Sequence, residues 1–372
     1  MRKSRKPIRL LLTGGGTGGH LFPAIATAQE FKRQLPGTEV LFVGTRRKMD
    51  SGSLEAYGFT SRSILSYGVK GKNIVQLVKA LAALPLSYVQ AVRILREFKP
   101  DIVFGVGGYV TGPVVAAAKS IGIPTIIHEQ NSVPGLANRK LGKIVDRICL
   151  SLPGSAEYFP KDKTVHTGNP VRKKILDLYK KNSSVKENRK KPTMLVLGGS
   201  QGASGVNRLV MEAFLDPEYS LSTRIHLIHQ TGEKDLKMVI DGYREAGVRV
   251  NVKPFFTKME KVYERADFLV SRAGATTLSE IAVLGKPAIL IPYPYAADDH
   301  QTRNAEFYVQ GGGAMMFQEK ELTGRFLAER IVELVADERK LEIMGQAMRK
   351  MSWPDAPEKI VACCLELISE QQ

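Results

Sequence analysis

The chain writes one kind of junction twice. Near its start stands LLLTGGGTGG (residues 10–19) and in its second half LVLGGSQGA (residues 195–203). An apolar run long enough for one strand, followed at once by clustered glycines, predicts a strand that turns tightly into a helix and brings backbone N–H groups close to whatever binds there. Short apolar runs alternate with longer amphipathic segments around both junctions: 8–12, 40–43, 102–104 and 125–127 in the first half, then 193–197, 225–228, 268–270 and 288–291 in the second. That alternation predicts βαβ units and a parallel sheet in each half. The length of 372 residues exceeds one ordinary core, and an apolar fraction of 43% is enough to fill two. The expected fold class is therefore α/β, with two doubly wound Rossmann-like domains facing a cleft. Ligands of such sheets sit beyond the carboxyl ends of the strands, so both glycine loops are expected to line that cleft. Between the halves, the polar and aperiodic stretch 180–192 reads as a linker.

Composition narrows the class. The three cysteines, Cys149, Cys363 and Cys364, form no CxxC pair and leave an odd one, which argues for a reducing compartment without structural disulfides or zinc. The basic start is followed by an apolar run too short for a signal peptide, and no stretch approaches the ~18–20 apolar residues that span a bilayer. A net charge of +17 favours a polyanionic partner, which could be nucleic acid, an acidic membrane leaflet or a phosphorylated substrate.

Gly14, Gly16 and Gly19 fit G-x-G-x-x-G. A dinucleotide site also needs a carboxylate near the end of the second strand for the ribose diol, and that strand runs into Gly44-Thr45-Arg46-Arg47, which disfavours NAD and leaves NADP to the arginines. His20 falls in the first turn of the following helix, where the positive dipole end disfavours imidazolium; it is read as a general base facing the cleft or as a residue that caps or packs. A third glycine cluster, FGVGGYVTGP (residues 104–113), again ends a strand, and HEQN (residues 128–131) directly follows another. Glu129 is read as a base, an orienting carboxylate or a buried structural hydrogen-bond partner. In the second half, SRAGATTLSE (residues 271–280) opens a helix. Thr277 and Glu280 have capping-box spacing, while the alternative has the helix N-terminus and the threonine hydroxyls hold a diphosphate, with Glu280 accepting from both ribose hydroxyls.

Taken in order, GGGTGGHLFPA, YGVKGK, FGVGGYVTGP, HEQN, GNPVR, LGGSQGA, RAGATTLSE and DDHQTRNA cover nearly the whole chain. With these motifs the sequence resembles the MurG family of peptidoglycan UDP-N-acetylglucosamine transferases. The resemblance implies a GT-B fold. Its N-terminal domain would span 1–170 and face the acceptor and the membrane, followed by a linker region at 171–192 and a UDP-GlcNAc-binding domain at 193–349. The last helix, about 350–372, would pack back on the first domain. It further implies an inverting hexosyltransferase that moves N-acetylglucosamine from UDP-GlcNAc to the muramyl 4-hydroxyl of lipid I, giving lipid II for the cell wall, in growth and division. The enzyme would lie peripherally at the cytoplasmic face of the membrane, alongside other cell-wall synthesis proteins.

By motif, the family's donor contacts fall on Thr17, Gly18, Gly19, Asn131, Arg172, Ser200, Phe256 with the backbone around it, Ala275, Thr276, Thr277, Leu278, Ser279, Glu280 and Gln301. His20 is the expected base, with Glu129 competing. Because the helix N-terminus and hydroxyls at Ser200, Thr276 and Thr277 can neutralise a departing diphosphate and no DxD motif is found, neither a metal nor a cofactor is expected. Lys70, Lys72, Ile74, Val75 and Lys79 form the expected membrane patch. The rivals are a UDP-sugar transferase acting on diacylglycerol or another lipid, which would share the donor site, and an NADP-binding oxidoreductase, which would leave GGSQGA and ATTLSE without a role. A nucleic-acid partner is not expected, because the chain shows no RRM, KH or zinc-finger pattern.

Overall fold

The computed structural model describes residues 6–15, 18–45, 54–67, 74–181, 191–199 and 202–371, and of 74–81 the backbone alone. The chain divides into two compact units, Met1–Arg172 with Trp353–Gln372, and Lys173–Ser352. In the first unit the strands are β1 (Arg9–Thr13), β2 (Glu39–Gly44), β3 (Thr60–Ser63), β4 (Ile102–Gly105), β5 (Thr125–Glu129), β6 (Arg147–Leu150) and β7 (Thr164–His166). The second unit has β8 (Thr193–Leu197), β9 (His226–Gln230), β10 (Asn251–Lys253), β11 (Phe268–Ser271), β12 (Ala288–Leu290) and β13 (Ala314–Met316). Described pairings are parallel throughout, in the orders β3-β2-β1-β4-β5-β6-β7 and β10-β9-β8-β11-β12-β13. Both units are therefore doubly wound. The strand order reverses between β1 and β4 and again between β8 and β11, where a parallel α/β sheet binds ligands beyond its carboxyl ends.

The apolar runs form strands because they are buried on both faces, as an interior parallel sheet requires. Leu10, Leu11 and Leu12 are all inaccessible to solvent. Leu10 and Leu12 join Phe104 and Ile126 on one face, packed with Ile25 and Phe31 of helix Gly18–Gln34 and with Ile360 and Cys364 of helix Ala356–Ser369. Leu11 joins Val103 and Ile127 on the other, packed with Leu95 of helix Ile74–Phe98 and Val114 of helix Thr111–Ser120. At roughly 1.5–3 kcal/mol for each large apolar side chain, this burial is what orders β1. The last helix is fastened to the first unit by the same apolar cluster, and Arg147 pairs there with Glu366 and, at 3.5 Å, with Glu370.

Two of the departures from the sequence reading have simple local causes. The edge strand β3 is Thr-Ser-Arg-Ser and exposed at every position, so it carries no apolar run to announce it. Within the segment 171–192 read as linker, Lys173–Lys181 is a helix that buries Ile175 and Leu178. Those two side chains stand three apart on one helical face, a signal that the flanking lysines masked; residues 182–190 lie outside the described residues. Among the described residues no helix is long and apolar enough to cross a membrane.

Candidate functional site

In the first unit, the carboxyl ends of β1, β4 and β5 meet at the switch point. The glycine loops are pressed together there: a Cβ on Gly108, whose φ is +88°, would lie 2.7 Å from the Gly15 carbonyl oxygen. His20 is the third residue of helix Gly18–Gln34 and is half-buried. Its ring lies against Gly107, where an added Cβ would be 3.1 Å from Cε1. His20 Nδ1 stands 2.9 Å from Gln130 Oε1, and Gln130 Nε2 stands 3.0 Å from the Val106 carbonyl oxygen and 2.9 Å from His128 Nδ1. His128 Nε2 donates to the Gly168 carbonyl at 3.0 Å. Burial lowers the His128 pKa to about 4, so that ring is neutral at neutral pH.

Glu129 is also buried, and donors engage both of its oxygens. Oε1 accepts from Asn131 N–H at 2.9 Å and from Asn131 Nδ2 at 3.2 Å; Oε2 accepts from Gly135 N–H at 3.3 Å and from Asn138 Nδ2 at 2.8 Å. Of its possible roles, this geometry is that of a structural carboxylate organising the turn after β5, with Asn131 placed by it. Arg172 stacks its guanidinium 4.6 Å from the Phe22 ring centroid. Gly18 and Gly19 open the helix that carries His20, and Thr17 lies outside the described residues.

In the second unit, β8 runs into Gly198 and Gly199, and Gly202 precedes helix Ser204–Leu215; Ser200 lies outside the described residues. Gly202 N–H donates to the Gly199 carbonyl at 3.2 Å. Gln230, at the end of β9, was not singled out by sequence. It is buried, donates through Nε2 to the Gly199 carbonyl at 3.3 Å and accepts the Phe256 N–H at 3.0 Å. Gln230 thus ties the glycine loop to the 255–259 backbone. Phe256 itself is buried, so at this position the main chain rather than the side chain is offered outward, while Phe255, Thr257 and Lys258 are exposed.

After β11, helix Ala275–Leu284 has Gly274 as its N-cap, with no side-chain cap. Thr277 is therefore inside the first turn rather than at the cap, and the capping-box reading of Thr277 and Glu280 is corrected. Thr276 and Thr277 are half-buried at the helix start, beside Ala275. Leu278 is fully buried and its amide donates to the Gly274 carbonyl, while the Ser279 hydroxyl donates to the Ala275 carbonyl. Glu280 is buried one turn in, with Oε2 accepting from Tyr263 at 3.0 Å. Gln301 Oε1 accepts the Ala273 N–H at 3.2 Å and the Tyr293 N–H at 3.0 Å, which fixes its amide with the nitrogen on the other side. Arg272 braces the same rim by donating to the carbonyls of Ile291 at 3.1 Å and Pro292 at 2.8 Å and pairing with Glu319. Just before His300, Asp298 and Asp299 hold φ values of 54° and 50°, a left-handed conformation that costs on the order of 1–3 kcal/mol per residue and is kept mainly where function requires it.

Lys70 and Lys72 lie outside the described residues, and of Ile74, Val75 and Lys79 only the helical backbone is described. Further along the same helix Leu84, Leu86 and Val89 are exposed.

Two doubly wound units, each with a glycine loop and a helix N-terminus at its switch point, make up the two-domain GT-B fold. Accordingly, residues 10–150 match the glycosyltransferase family 28 N-terminal domain and residues 193–360 the family 28 C-terminal domain. The chain is 58% identical over its full length, and over all of the relative, to the UDP-N-acetylglucosamine–N-acetylmuramyl-(pentapeptide) pyrophosphoryl-undecaprenol N-acetylglucosamine transferase of Desulfotalea psychrophila. It is 43% identical to the Myxococcus xanthus transferase of the same name, covering 97% of this chain and 93% of that one. The crystal structure of Acinetobacter baumannii MurG superposes with a TM-score of 0.76 at 30% identity, covering 97% of this chain and 100% of that one. The chain belongs to this transferase family.

Proposed function

We propose that the chain transfers N-acetylglucosamine from UDP-GlcNAc to the muramyl 4-hydroxyl of lipid I, with inversion. The observation that carries the reading is 58% identity over the full length to a transferase so named, with His20 at a ligand-binding switch point of the fold. In the reaction the acceptor oxygen attacks C1 of the sugar as His20 Nε2 takes its proton. The bond from C1 to the diphosphate breaks in the same displacement, and UDP leaves with the electron pair.

On this reading, the first unit with the last helix serves the acceptor and the second unit holds the donor. The leaving diphosphate is stabilised by the amides of Ala275, Thr276 and Thr277 at their helix N-terminus and by the hydroxyls of Thr276, Thr277 and Ser200, where the dipole and unpaired N–H groups favour negative charge. Glu280, oriented by Tyr263, accepts from the ribose hydroxyls. Backbone atoms near Phe256 hold the uracil, and Gln301, its oxygen already engaged, offers Nε2 to the sugar. Thr17, Gly18, Gly19, Asn131 and Arg172 complete the donor contacts. Offering labelled UDP-GlcNAc with a lipid I analogue and diacylglycerol in parallel tests the acceptor: label on the muramyl product alone is expected, and label on diacylglycerol alone overturns the assignment.

On this reading the helix Ile74–Phe98 supplies the membrane contact through exposed Leu84, Leu86 and Val89, and Lys70, Lys72 and Lys79, close by in sequence, add attraction to an anionic surface. Each basic residue near an anionic surface contributes about 1 kcal/mol. Replacing all three lysines by glutamate is expected to reduce cosedimentation with phosphatidylglycerol vesicles by at least tenfold. Unchanged cosedimentation contradicts the patch.

A further inference from the structure

We propose that Gln130 is a positioning residue that holds His20 in its Nδ1-protonated tautomer, so that the ring presents Nε2 as its proton acceptor. The proposal rests on reading His20 as the base and names the residue that makes it competent.

The argument runs inward from the Gly168 carbonyl. A carbonyl oxygen only accepts, so His128 Nε2, 3.0 Å away, carries a proton. The ring is inaccessible to solvent, and burial disfavours its charged form, which leaves Nδ1 as a lone pair. That lone pair faces one end of the Gln130 amide at 2.9 Å, and the same end lies 3.0 Å from the Val106 carbonyl oxygen and 3.1 Å from the His128 carbonyl oxygen. Three acceptors around one atom require a donor, so that atom is the nitrogen. Turning the amide over would set its oxygen against two carbonyls and a lone pair in a site closed to water, where unpaired polar groups are costly.

Oε1 is thereby aimed at His20 Nδ1, 2.9 Å away. Because Oε1 accepts only, Nδ1 carries a proton, and in the neutral ring that leaves Nε2 as the lone pair. The same logic appears wherever a partner on one imidazole nitrogen decides what the other can do. Gly107 completes the seat. A Cβ there would approach His20 Cε1 to 3.1 Å and Nδ1 to 3.3 Å, so the glycine lets the ring reach the amide. Here the orienting group is a neutral amide, itself oriented by a buried neutral histidine, in place of the carboxylate that orients the base of a Ser-His-Asp triad.

The test reads the tautomer directly, on the full-length free protein, by long-range proton–nitrogen correlation of histidine side chains labelled with 15N at neutral pH. A His20→Ala spectrum identifies the His20 signals among those of the six histidines. Wild type is expected to show a protonated-type Nδ1 and a lone-pair-type Nε2. Gln130→Met, of similar length but without the acceptor, is expected to give a mixture of tautomers and about a tenfold fall in kcat with KM for UDP-GlcNAc unchanged. Gln130→Glu keeps an acceptor oxygen toward His20 and so should retain the Nδ1-protonated form, but its second oxygen would face the Val106 and His128 carbonyls, so it is expected to unfold at a lower temperature than wild type. An Nε2-protonated ring in wild type overturns the proposal even if both variants misfold, as does a Gln130→Met protein with unchanged tautomer and kcat. If the wild-type spectrum is as expected and the enzyme shows no transfer, the proton-accepting role of His20 fails while the hold by Gln130 stands.

Discussion

Replacing His20 by alanine is expected to lower kcat ~100-fold or more, because a positioned general base supplies at least that much, while UDP binding is unchanged. The reasoning follows from what the competing carboxylate is doing. Glu129 is surrounded by four hydrogen-bond donors from Asn131, Gly135 and Asn138, so a proton taken up there would break the contacts that shape the turn after β5. His20 is half-buried at the rim, with one ring nitrogen engaged by Gln130. Removing a group used only in the transition state lowers kcat and kcat/KM together, which steady-state rates over a range of UDP-GlcNAc concentrations would show. A His20→Ala enzyme within a few-fold of wild type would move the proton transfer elsewhere.

The second large effect is expected in the other unit. Replacing Gly202 by alanine should destabilise that unit by about 3 kcal/mol and weaken UDP binding, as the sum of a left-handed penalty and an overlap. Gly202 has φ of +78°, and an added Cβ would lie 2.3 Å from the Thr231 carbonyl oxygen and 3.0 Å from Gly232 Cα. That backbone has little room to move. The Thr231 carbonyl accepts from Asn207 Nδ2 at 2.9 Å, and Gly232 N–H is bonded to the Pro254 carbonyl at 3.0 Å. Asn207 in turn accepts from the buried His229 at 3.0 Å, so a shift would disturb a closed polar network. Gly247 provides the control: its φ is +69° but nothing stands within 4 Å of an added Cβ, so Gly247→Ala should cost only the conformational part. Thermal unfolding should show Gly202→Ala lower by roughly 6–12 °C and Gly247→Ala by a few degrees. Equal midpoints for the two variants, with UDP titrations like wild type, would remove the glycine loop from the account.

The features of the fold most legible in the sequence were those with a strong local cause. Interior strands such as Leu10–Leu12 announce themselves because both faces must be apolar, and glycine clusters because no other residue tolerates those turns. Edge strands escaped the reading, since β3 has no apolar residue and the short β10 keeps its ends exposed, and so did the interior β6, whose buried run is only Ile148-Cys149-Leu150. At the site, the motifs single out residues one at a time, and the contacts that hold those residues in place are not legible in them. Gln130 was passed over between Glu129 and Asn131, and its role depends on Val106 and Gly168, which only the folded sheet brings beside it. Gln230 was missed for the same reason, because its partners Gly199 and Phe256 are distant in the chain. The capping-box spacing at Thr277 misled because the tight turn through Gly274 starts the helix earlier than a side-chain cap would.

The most direct test of the central claim is the anomeric configuration of the product made by the wild-type protein from UDP-GlcNAc and a lipid I analogue. A single displacement at the α-linked donor sugar predicts a β-linked N-acetylglucosamine on the muramyl 4-hydroxyl, read from the anomeric proton coupling. An α-linked product would mean attack from the face the diphosphate leaves, or two successive displacements, and would contradict the single inverting displacement in which His20 acts as base on the attacking hydroxyl.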